Sequence, residues 1–237
     1  MPGRLLVIVP TLNERENLPS LAAAIFAAPV GADLLVVDDA SPDGTGAVAD
    51  ELAHGDPRVR VRHRARRLGI GSAYVEGFQR ALADGYEAVV TMDADWSHDP
   101  AYLPGLVAAA ADHELVVGSR YLHGISVVNW TLTRLMLSQG GNLYVRTITG
   151  LPLRDCTSGF QVIRRAALER IGVGHIRTNG YSFLVELKYR IFRSGGSMVE
   201  VPIVFTQRRH GRTKMTRREI FLSLVNVWKL RLGLYRR

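Results

Sequence analysis

The chain has little cysteine and no long apolar run, and each absence excludes a class of protein. Cys156 is the only cysteine among 237 residues, so no intramolecular disulfide can form, which fits a reducing compartment. No uninterrupted apolar run reaches the roughly 18–20 residues that span a bilayer. The first residues pass straight into a strand-like segment and lack the pattern of a secretory signal. We therefore expect a cytoplasmic protein that is at most peripheral to a membrane.

Negative charge is scarce at the C-terminal end. From Arg208 onward the chain holds ten Lys and Arg residues but a single acid, Glu219, a net charge of +9, so the remainder carries −1 of the total +8. Such a segment points to phosphates, anionic lipid or nucleic acid as a partner. Its apolar residues fall near helical spacing, which predicts a basic amphipathic helix that either lies in a membrane interface or covers the sheet. These apolar residues are Ile220, Phe221, Leu224, Val225, Val227 and Trp228.

Strand and helix patterns alternate along the first half of the chain. This order predicts one α/β domain in which a mainly parallel sheet is covered by helices on both faces. Strands are predicted at residues 4–10, 33–37, 58–62, 88–92 and 115–117, with helices at 16–27, 71–84 and 100–111 and a short helix ending near residue 52.

The second half is less regular. A helix at 132–148 is expected to be interrupted by Gly140-Gly141, and 162–171 and 181–193 are further helical candidates. A late strand at 198–204 and a last helix at 217–232 complete the prediction. We expect a domain over 1–210 and a basic amphipathic segment over 211–237, packed on that domain, on a membrane interface, or on both.

Acidic residues follow several predicted strands at the points where those strands end. Asp38 and Asp39 follow the second strand, Asp93 and Asp95 follow the fourth, and Glu14 lies just beyond the first. Because ligands of open α/β sheets bind at the carboxyl ends of the strands, we expect these acids to converge on one edge. Like-charge repulsion would be costly there unless a cation lay among them, and Mg²⁺ or Mn²⁺ prefers such oxygen ligands.

Asp93-Ala94-Asp95 could have a purely structural role, as a turn followed by a helix cap. An isolated Asp-x-Asp sequence has such a structural role more often than it forms a metal site. Its position after an apolar strand, with other strands also ending in acids, favours the metal site here. His98 is expected to be a structural neighbour of this site rather than a ligand.

A series of motifs spanning nearly the whole chain resembles a known family. The chain is similar to the inverting family-2 glycosyltransferases of the GT-A (Rossmann-like) fold, and within them to the polyprenyl-phosphate (dolichyl-phosphate) mannose synthases. The motifs, in chain order, are Pro10-Thr11-Leu12-Asn13-Glu14, Val36-Val37-Asp38-Asp39-Ala40-Ser41-Pro42-Asp43, Gly69-Ile70-Gly71-Ser72-Ala73-Tyr74, Met92-Asp93-Ala94-Asp95, Gly118-Ser119-Arg120-Tyr121, Asp155-Cys156-Thr157-Ser158-Gly159-Phe160, Gly180-Tyr181-Ser182-Phe183 and Gly211-Arg212-Thr213-Lys214.

The resemblance implies a role for each matched residue. Asp93, Ala94 and Asp95 would bind the metal and the donor diphosphate, and Ser97 stands where the family often has a glutamine, so its part as a ligand is open. Asp93, Asp95 and Arg120 would be the catalytic residues. Acceptor phosphate would meet Arg120, Arg134 and Ser138; the nucleotide pocket would be lined by Pro10, Leu12, Glu14, Val37 and Asp39; and Arg208 and Lys214 would meet the donor phosphates.

The implied reaction is transfer of mannose from GDP-mannose to polyprenyl phosphate, with Mg²⁺ or Mn²⁺ as the metal. The implied partners are the two substrates and a membrane surface, on its cytoplasmic face, and a membrane-protein anchor is left open. UDP-glucose or UDP-N-acetylglucosamine as donor, or a non-lipid acceptor, is the nearest alternative. A nucleic-acid-binding protein using the basic end is the remote one, and it leaves the acids at the strand ends unexplained.

Overall fold

A seven-stranded sheet forms the centre of the computed structural model, which describes residues 3–207 and 217–235. The strands are β1 (Leu5–Thr11), β2 (Ala32–Asp38), β3 (Val59–His63), β4 (Ala88–Thr91), β5 (Leu115–Ser119), β6 (Gln161–Arg164) and β7 (Met198–Pro202). They lie in the order β3-β2-β1-β4-β6-β5-β7. Only β6 is antiparallel to its neighbours within these described strands, so the predicted mainly parallel sheet is confirmed.

Helices cover both faces of this sheet. They are α1 (Leu18–Ala27), α2 (Thr45–Gly55), α3 (Ile70–Ala83), α4 (Leu103–Ala109), α5 (Leu132–Thr149), α6 (Arg165–Ile171), α7 (Tyr181–Arg193) and α8 (Arg217–Arg231). Side chains of β1 alternate between two cores, as the period of a strand requires. Leu5 and Val7 join the core under α1, α2 and α4, whereas Leu6 and Ile8 join the core under α3, α6 and α7.

Helix α5 corrects one expectation, because it runs through Gly140 and Gly141 without interruption. The Thr131 hydroxyl accepts a hydrogen bond from Arg134 N and caps the helix start. Two glycines cost roughly 2 kcal/mol of helix propensity relative to alanine. The length of the helix, its cap and its packing on α8 outweigh that cost.

Residues 162–171 correct a second expectation, because only their second part is helical. Val162 and Ile163 lie in β6 and pair with β4 on one side and β5 on the other, and α6 then begins at Arg165. A short apolar run has the same pattern in a buried strand and in a buried helix. The two neighbouring strands, distant in sequence, decide between them by supplying backbone hydrogen bonds.

The strand directions bring several chain segments to one edge of the sheet. Because β6 is antiparallel to both β4 and β5, the C-terminal ends of β1, β2, β4 and β5 lie at the same edge, and β6 begins there. This edge is called the carboxyl edge below. The residues that follow these strands, and those that precede β6, are therefore neighbours.

Helix α8 packs against α5 and α7. Val227 and Leu230 are buried, and the Tyr144 hydroxyl of α5 donates to Leu224 O at 3.1 Å. Its opposite side leaves Trp228 half exposed. Within the two described stretches, no helix combines the length and the apolar character needed to cross a bilayer.

Candidate active site

The segment after β4 holds the two carboxylates of the Asp-x-Asp motif. Asp95 is buried at 6% exposure, whereas Asp93 is half-buried. Ser97 fixes Asp95, since its backbone N–H and its hydroxyl donate to Asp95 Oδ1 at 3.1 and 2.5 Å. Between them Trp96 takes a φ of +66°, which is rare for a bulky residue and makes the sharp turn. The local chain thus places both carboxylates and the Ser97 hydroxyl at the carboxyl edge.

His98 stabilises this turn through a hydrogen bond to its backbone. Its Nδ1 accepts a hydrogen bond from Asp93 N at 3.0 Å, and its ring stacks on Phe160 with centroids 5.0 Å apart. Burial lowers the pKa of His98 to about 4, so the ring is neutral at neutral pH. With Nδ1 engaged by the backbone, His98 has the structural role that the sequence suggested.

Among the described residues, Asp38 and Asp39 do not join the Asp-x-Asp motif in a group of acids that could hold a metal by itself. Asp39 pairs with Arg64 at 2.8 Å and also accepts from the backbone N–H groups of Leu68 and Gly69. Asp38 accepts from the hydroxyls of Thr11 and Ser41. The acids do follow strands that end at the carboxyl edge, as expected, but the expected balancing cation is corrected at Asp39: Arg64 supplies the positive charge there, and the pair anchors the loop between β3 and α3.

The remaining residues expected to line a nucleotide pocket divide into two groups. Pro10, Leu12 and Glu14 keep exposed surface at the end of β1, and Glu14 accepts from the Asn17 amide at 2.8 Å. Val37, by contrast, has no exposed surface and packs in the core under α3. The side chain of Val37 therefore supports the edge from within, contrary to the expectation that it lines the pocket. Ala94 is likewise buried.

Arg120 leaves the end of β5 and forms a two-point ion pair with Asp155. Its Nε and Nη2 donate to the two carboxylate oxygens at 2.7 and 2.6 Å, and Nη2 also donates to the Thr157 hydroxyl at 2.8 Å. Burial alone would raise the pKa of Asp155, but the charge and hydrogen bonds of Arg120 outweigh it, so that the pKa lies below its ordinary value. The buried guanidinium is thus held in a fixed orientation.

Arg134 and Ser138, both on α5, lie beside Arg120. The guanidinium carbon of Arg134 lies 4.1 Å from the centre of the Trp130 ring, and that of Arg120 lies 5.6 Å from the same ring. The Tyr121 hydroxyl is 2.8 Å from the Ser138 hydroxyl. The three residues expected to meet an acceptor phosphate are therefore brought together.

The segment before β6 contacts Arg120 and also lies against the Asp-x-Asp motif. Thr91 Oγ1 donates to Gly159 O at 2.6 Å, and a Cβ placed on Gly159 would lie 3.5 Å from the His98 ring. Lys188 of α7, fully buried, donates from Nζ to Ser158 O at 2.8 Å. Burial lowers the pKa of Lys188 to about 8, against the opposing charge of Asp155. A Cβ on Gly159 would also lie 3.9 Å from Asp93 Oδ1, an ordinary van der Waals contact, so this segment lies directly against the Asp-x-Asp motif.

Sequence reasoning did not assign roles to Asp155, Trp130, Arg64 or Lys188. Asp155 stood within a quoted motif, and Arg64 stands one residue beyond β3 at the carboxyl edge, so position alone could have suggested both. Nothing in the pattern marked Lys188, which sits in an otherwise ordinary amphipathic helix. Arg208 and Lys214 lie outside the described residues.

The donor set at the end of β4 fits a hard divalent cation. Asp93, Asp95 and Ser97 offer oxygen ligands alone. Among residues 3–207 and 217–235, no group of three or more His, Cys, Asp and Glu side chains could hold a metal by itself. Mg²⁺ and Mn²⁺ are suited to such a site, since they take one or two carboxylates and complete their shell with water and substrate phosphates. A structural zinc site would need a fuller protein ligand set.

A solved structure of a mannosyltransferase from Pyrobaculum calidifontis, in complex with GDP-Man and Mn²⁺, has the same fold. It superimposes with a TM-score of 0.62 at 18% identity, covering 97% of this chain and 70% of that one. At this identity the likeness establishes the fold alone. Together with the sheet order and helix layers, it confirms the predicted GT-A architecture.

Sequence comparison gives closer relatives. The chain is 46% identical over 232 residues to a polyprenol monophosphomannose synthase of Mycolicibacterium smegmatis, covering 96% of this chain and 88% of the relative. It is 45% identical over 224 residues to an undecaprenyl-phosphate mannosyltransferase of Micrococcus luteus, covering 94% and 92%. The family model described as Glycosyl transferase family 2 matches residues 6–172, from the second residue of β1 to just beyond α6, and so includes the Asp-x-Asp motif. The chain therefore belongs to glycosyl transferase family 2.

Proposed function

We propose that this glycosyltransferase moves mannose from GDP-mannose to a polyprenyl phosphate, with inversion at the anomeric carbon. The proposal depends on one observation: the carboxylates of the Asp-x-Asp motif and two arginines lie near the same segment at the carboxyl edge. Asp93 lies against the segment before β6 at Gly159, Arg120 binds the same segment at Asp155 and Thr157, and Arg134 shares the Trp130 ring with Arg120. A donor diphosphate reached through a divalent cation and an acceptor phosphate reached by arginines need such a pair.

The names of the curated relatives support the choice of sugar and acceptor. Both name a mannose-transferring enzyme, one with polyprenol monophosphate and the other with undecaprenyl phosphate. This chain spans about nine-tenths of each relative's length. The likeness therefore extends over the acceptor arginines as well as the donor motif.

On the donor side, Asp93 and Asp95 would hold Mg²⁺ or Mn²⁺, with Ser97 keeping Asp95 in orientation. The bound cation would supply positive charge to the departing diphosphate. Pro10, Leu12 and Glu14, partly exposed at the end of β1, would contact the nucleotide. Arg208 and Lys214 remain proposed contacts of the donor phosphates on the strength of the family resemblance.

On the acceptor side, Arg120 and Arg134 would orient the lipid phosphate, and the Ser138 hydroxyl would offer a further hydrogen bond. The nucleophile is a phosphate oxygen, which already carries negative charge at neutral pH, so that no strong general base is required. Orientation is the main contribution of these side chains. Holding the attacking oxygen in line with the anomeric carbon lowers the barrier by removing its freedom to rotate and translate.

A lipid acceptor requires contact with a membrane, and we propose the outer surface of α5 and α8 for it. Leu132, Met136 and Leu143 of α5, Trp228 of α8 and Leu232 just beyond α8 are exposed apolar side chains, named the α5–α8 apolar surface below. The basic C-terminal segment adds attraction to anionic lipid of about 1 kcal/mol per residue near the surface. The free, buried Cys156 fits the reducing cytoplasmic side of the membrane.

Donor competition with a defined acceptor tests the proposal. Purified protein with Mn²⁺ and undecaprenyl phosphate is given labelled GDP-mannose, UDP-glucose or UDP-N-acetylglucosamine in parallel. The proposal predicts transfer from GDP-mannose alone. Transfer from a UDP donor in its place would show that the fold serves another sugar.

A further inference from the structure

We propose that Trp130 is a positioning residue that sets the spacing of Arg120 and Arg134, so that both guanidinium groups meet one phosphate. The inference rests on the proposed function, since it concerns the acceptor phosphate of that reaction. Trp130 lies in the loop just before α5, and both arginines lie over its ring: Arg134 at 4.1 Å and Arg120 at 5.6 Å from the ring centre.

The ring of Trp130 is itself held by Phe205. The two rings meet edge to face, with centroids 5.4 Å apart and planes at 78°. Phe205 is tied to the same loop by backbone hydrogen bonds, from Val128 N to Phe205 O and from Phe205 N to Ser126 O, both 2.9 Å long. The loop and the strand-like segment at Phe205 thus hold the indole from two sides.

The backbone on either side of Trp130 is also fixed. Asn129 takes a φ of +62°, a left-handed conformation that asparagine tolerates better than most residues. Thr131 follows as the N-cap of α5. A tight turn and a helix start therefore define the backbone on both sides of the indole.

Stacking contacts, rather than a hydrogen bond, place the ring. The indole N–H is buried and has no hydrogen-bond partner among residues 3–207 and 217–235. A phenylalanine at this position would keep an aromatic face without breaking a hydrogen bond to any described residue. This makes Trp130→Phe a conservative variant and Trp130→Leu a disruptive one.

The contacts of Arg120 and Arg134 offset the repulsion between their two positive charges. Two guanidinium groups brought to one phosphate repel each other while the site is empty. Asp155 offsets the charge of Arg120, and the electron-rich face of the indole attracts both cations. Without the ring, Arg134 would lose a contact that orients it, and the acceptor phosphate would meet a less defined site.

The test separates positioning from folding by the Michaelis constants. Initial rates are measured with undecaprenyl phosphate and GDP-mannose for the unchanged protein, Trp130→Leu and Trp130→Phe. We expect Trp130→Leu to raise the acceptor KM about 10-fold, the effect of losing strong cation–π contacts, while the donor KM changes less than about 2-fold. Trp130→Phe is expected to recover most of the acceptor KM. A fall in folded fraction would lower kcat and leave both KM values unchanged.

Phe26 offers a matched control. It lies 4.0 Å beneath the Arg58 guanidinium near the C-terminal end of α1, away from the carboxyl edge. Phe26→Leu removes a ring from beneath an arginine in the same way, and both KM values should stay unchanged.

A double variant supports or overturns the inference. If Trp130 acts through Arg134, then Trp130→Leu should add less than about 2-fold to the acceptor KM of an Arg134→Ala protein, because coupled residues are not additive. Full additivity, or an unchanged acceptor KM in Trp130→Leu alone, would overturn it. Absence of any mannose transfer by the unchanged protein would instead overturn the proposed function.

Discussion

Arg120 and Asp155 meet through two hydrogen bonds of 2.7 and 2.6 Å, in a pair that is almost completely buried. The planar guanidinium matches the carboxylate along one side, which fixes its plane as well as its position. An arginine that binds phosphate usually lies on the surface and adapts to its ligand. Here the orientation is set before any ligand arrives, and the consequences can be measured.

Asp155→Asn removes the charge that balances the buried Arg120. Leaving one buried partner uncompensated costs about 3–5 kcal/mol, so we expect the free energy of unfolding to fall by that amount in urea titrations. The acceptor KM of the folded fraction should rise as well. Asp56→Asn is the control, since Asp56 contacts Arg58 in a similar pair on the surface, and its loss should leave the unfolding midpoint and the activity unchanged. Equal effects of the two substitutions would contradict the role given to Asp155.

Lys188→Met changes how stability depends on pH. The pKa of Lys188 is about 8 in the folded chain and 10.5 ordinarily, so between these values the unfolded chain binds more protons. Stability of the unchanged protein should therefore rise with pH relative to the variant, by about 3 kcal/mol between pH 7 and pH 10.5. Urea unfolding at several pH values measures the difference. Lys229→Met, which removes an exposed lysine, is the control. A difference in the free energy of unfolding between Lys188→Met and the unchanged protein that stays constant with pH would refute the prediction.

Asp95→Asn keeps the size of the side chain and removes its charge. If Asp95 holds the divalent cation, kcat for mannose transfer should fall at least about 100-fold, because charge on the departing diphosphate is no longer offset. Calorimetry should also show weaker binding of Mn²⁺ in the presence of GDP. Asp99→Asn, four residues on, alters only a carboxylate that accepts from Ala101 N, and should retain activity. Unchanged Mn²⁺ binding by Asp95→Asn would place the metal elsewhere.

Trp228→Ser and Leu232→Ser reduce the α5–α8 apolar surface. Each removes an exposed apolar side chain, worth roughly 1.5–3 kcal/mol when buried, so affinity for phosphatidylglycerol vesicles should fall about 10-fold or more. Vesicle sedimentation measures it, and added salt should weaken binding of all variants. Leu68→Ser removes an apolar side chain of similar exposure near α3 and should bind vesicles like the unchanged protein. A loss as great with Leu68→Ser would mean that the apolar contact is not localised.

Much of the fold could be predicted because local pattern and tertiary structure agree. The strands ending near Asp38 and Asp93 were placed within one or two residues, since apolar runs bounded by acids and turns leave little choice. Residues 162–171 were misjudged because pairing with β4 and β5, far away in sequence, decides their state. The interruption predicted at Gly140 and Gly141 was wrong because a helix long enough to pack on α8 tolerates two glycines.

The site was predicted in part, for a similar reason. The positions of Asp95 and Arg120 followed from strand ends and from the family resemblance. Asp155 as partner of Arg120, and the Trp130 ring between two arginines, could not be foreseen, because each contact joins segments that only the folded sheet brings together. Acids at strand ends do not by themselves indicate a metal ligand, since the positive partner of Asp39 is Arg64.

Partition of labelled mannose between water and organic solvent tests the central claim most directly. Purified protein is incubated with labelled GDP-mannose, undecaprenyl phosphate and Mn²⁺, with and without a chelator. The account predicts label in the organic phase that depends on the lipid and disappears with the chelator or with Asp95→Asn. Label found solely in water-soluble product, or transfer to lipid that persists with the chelator, would contradict it.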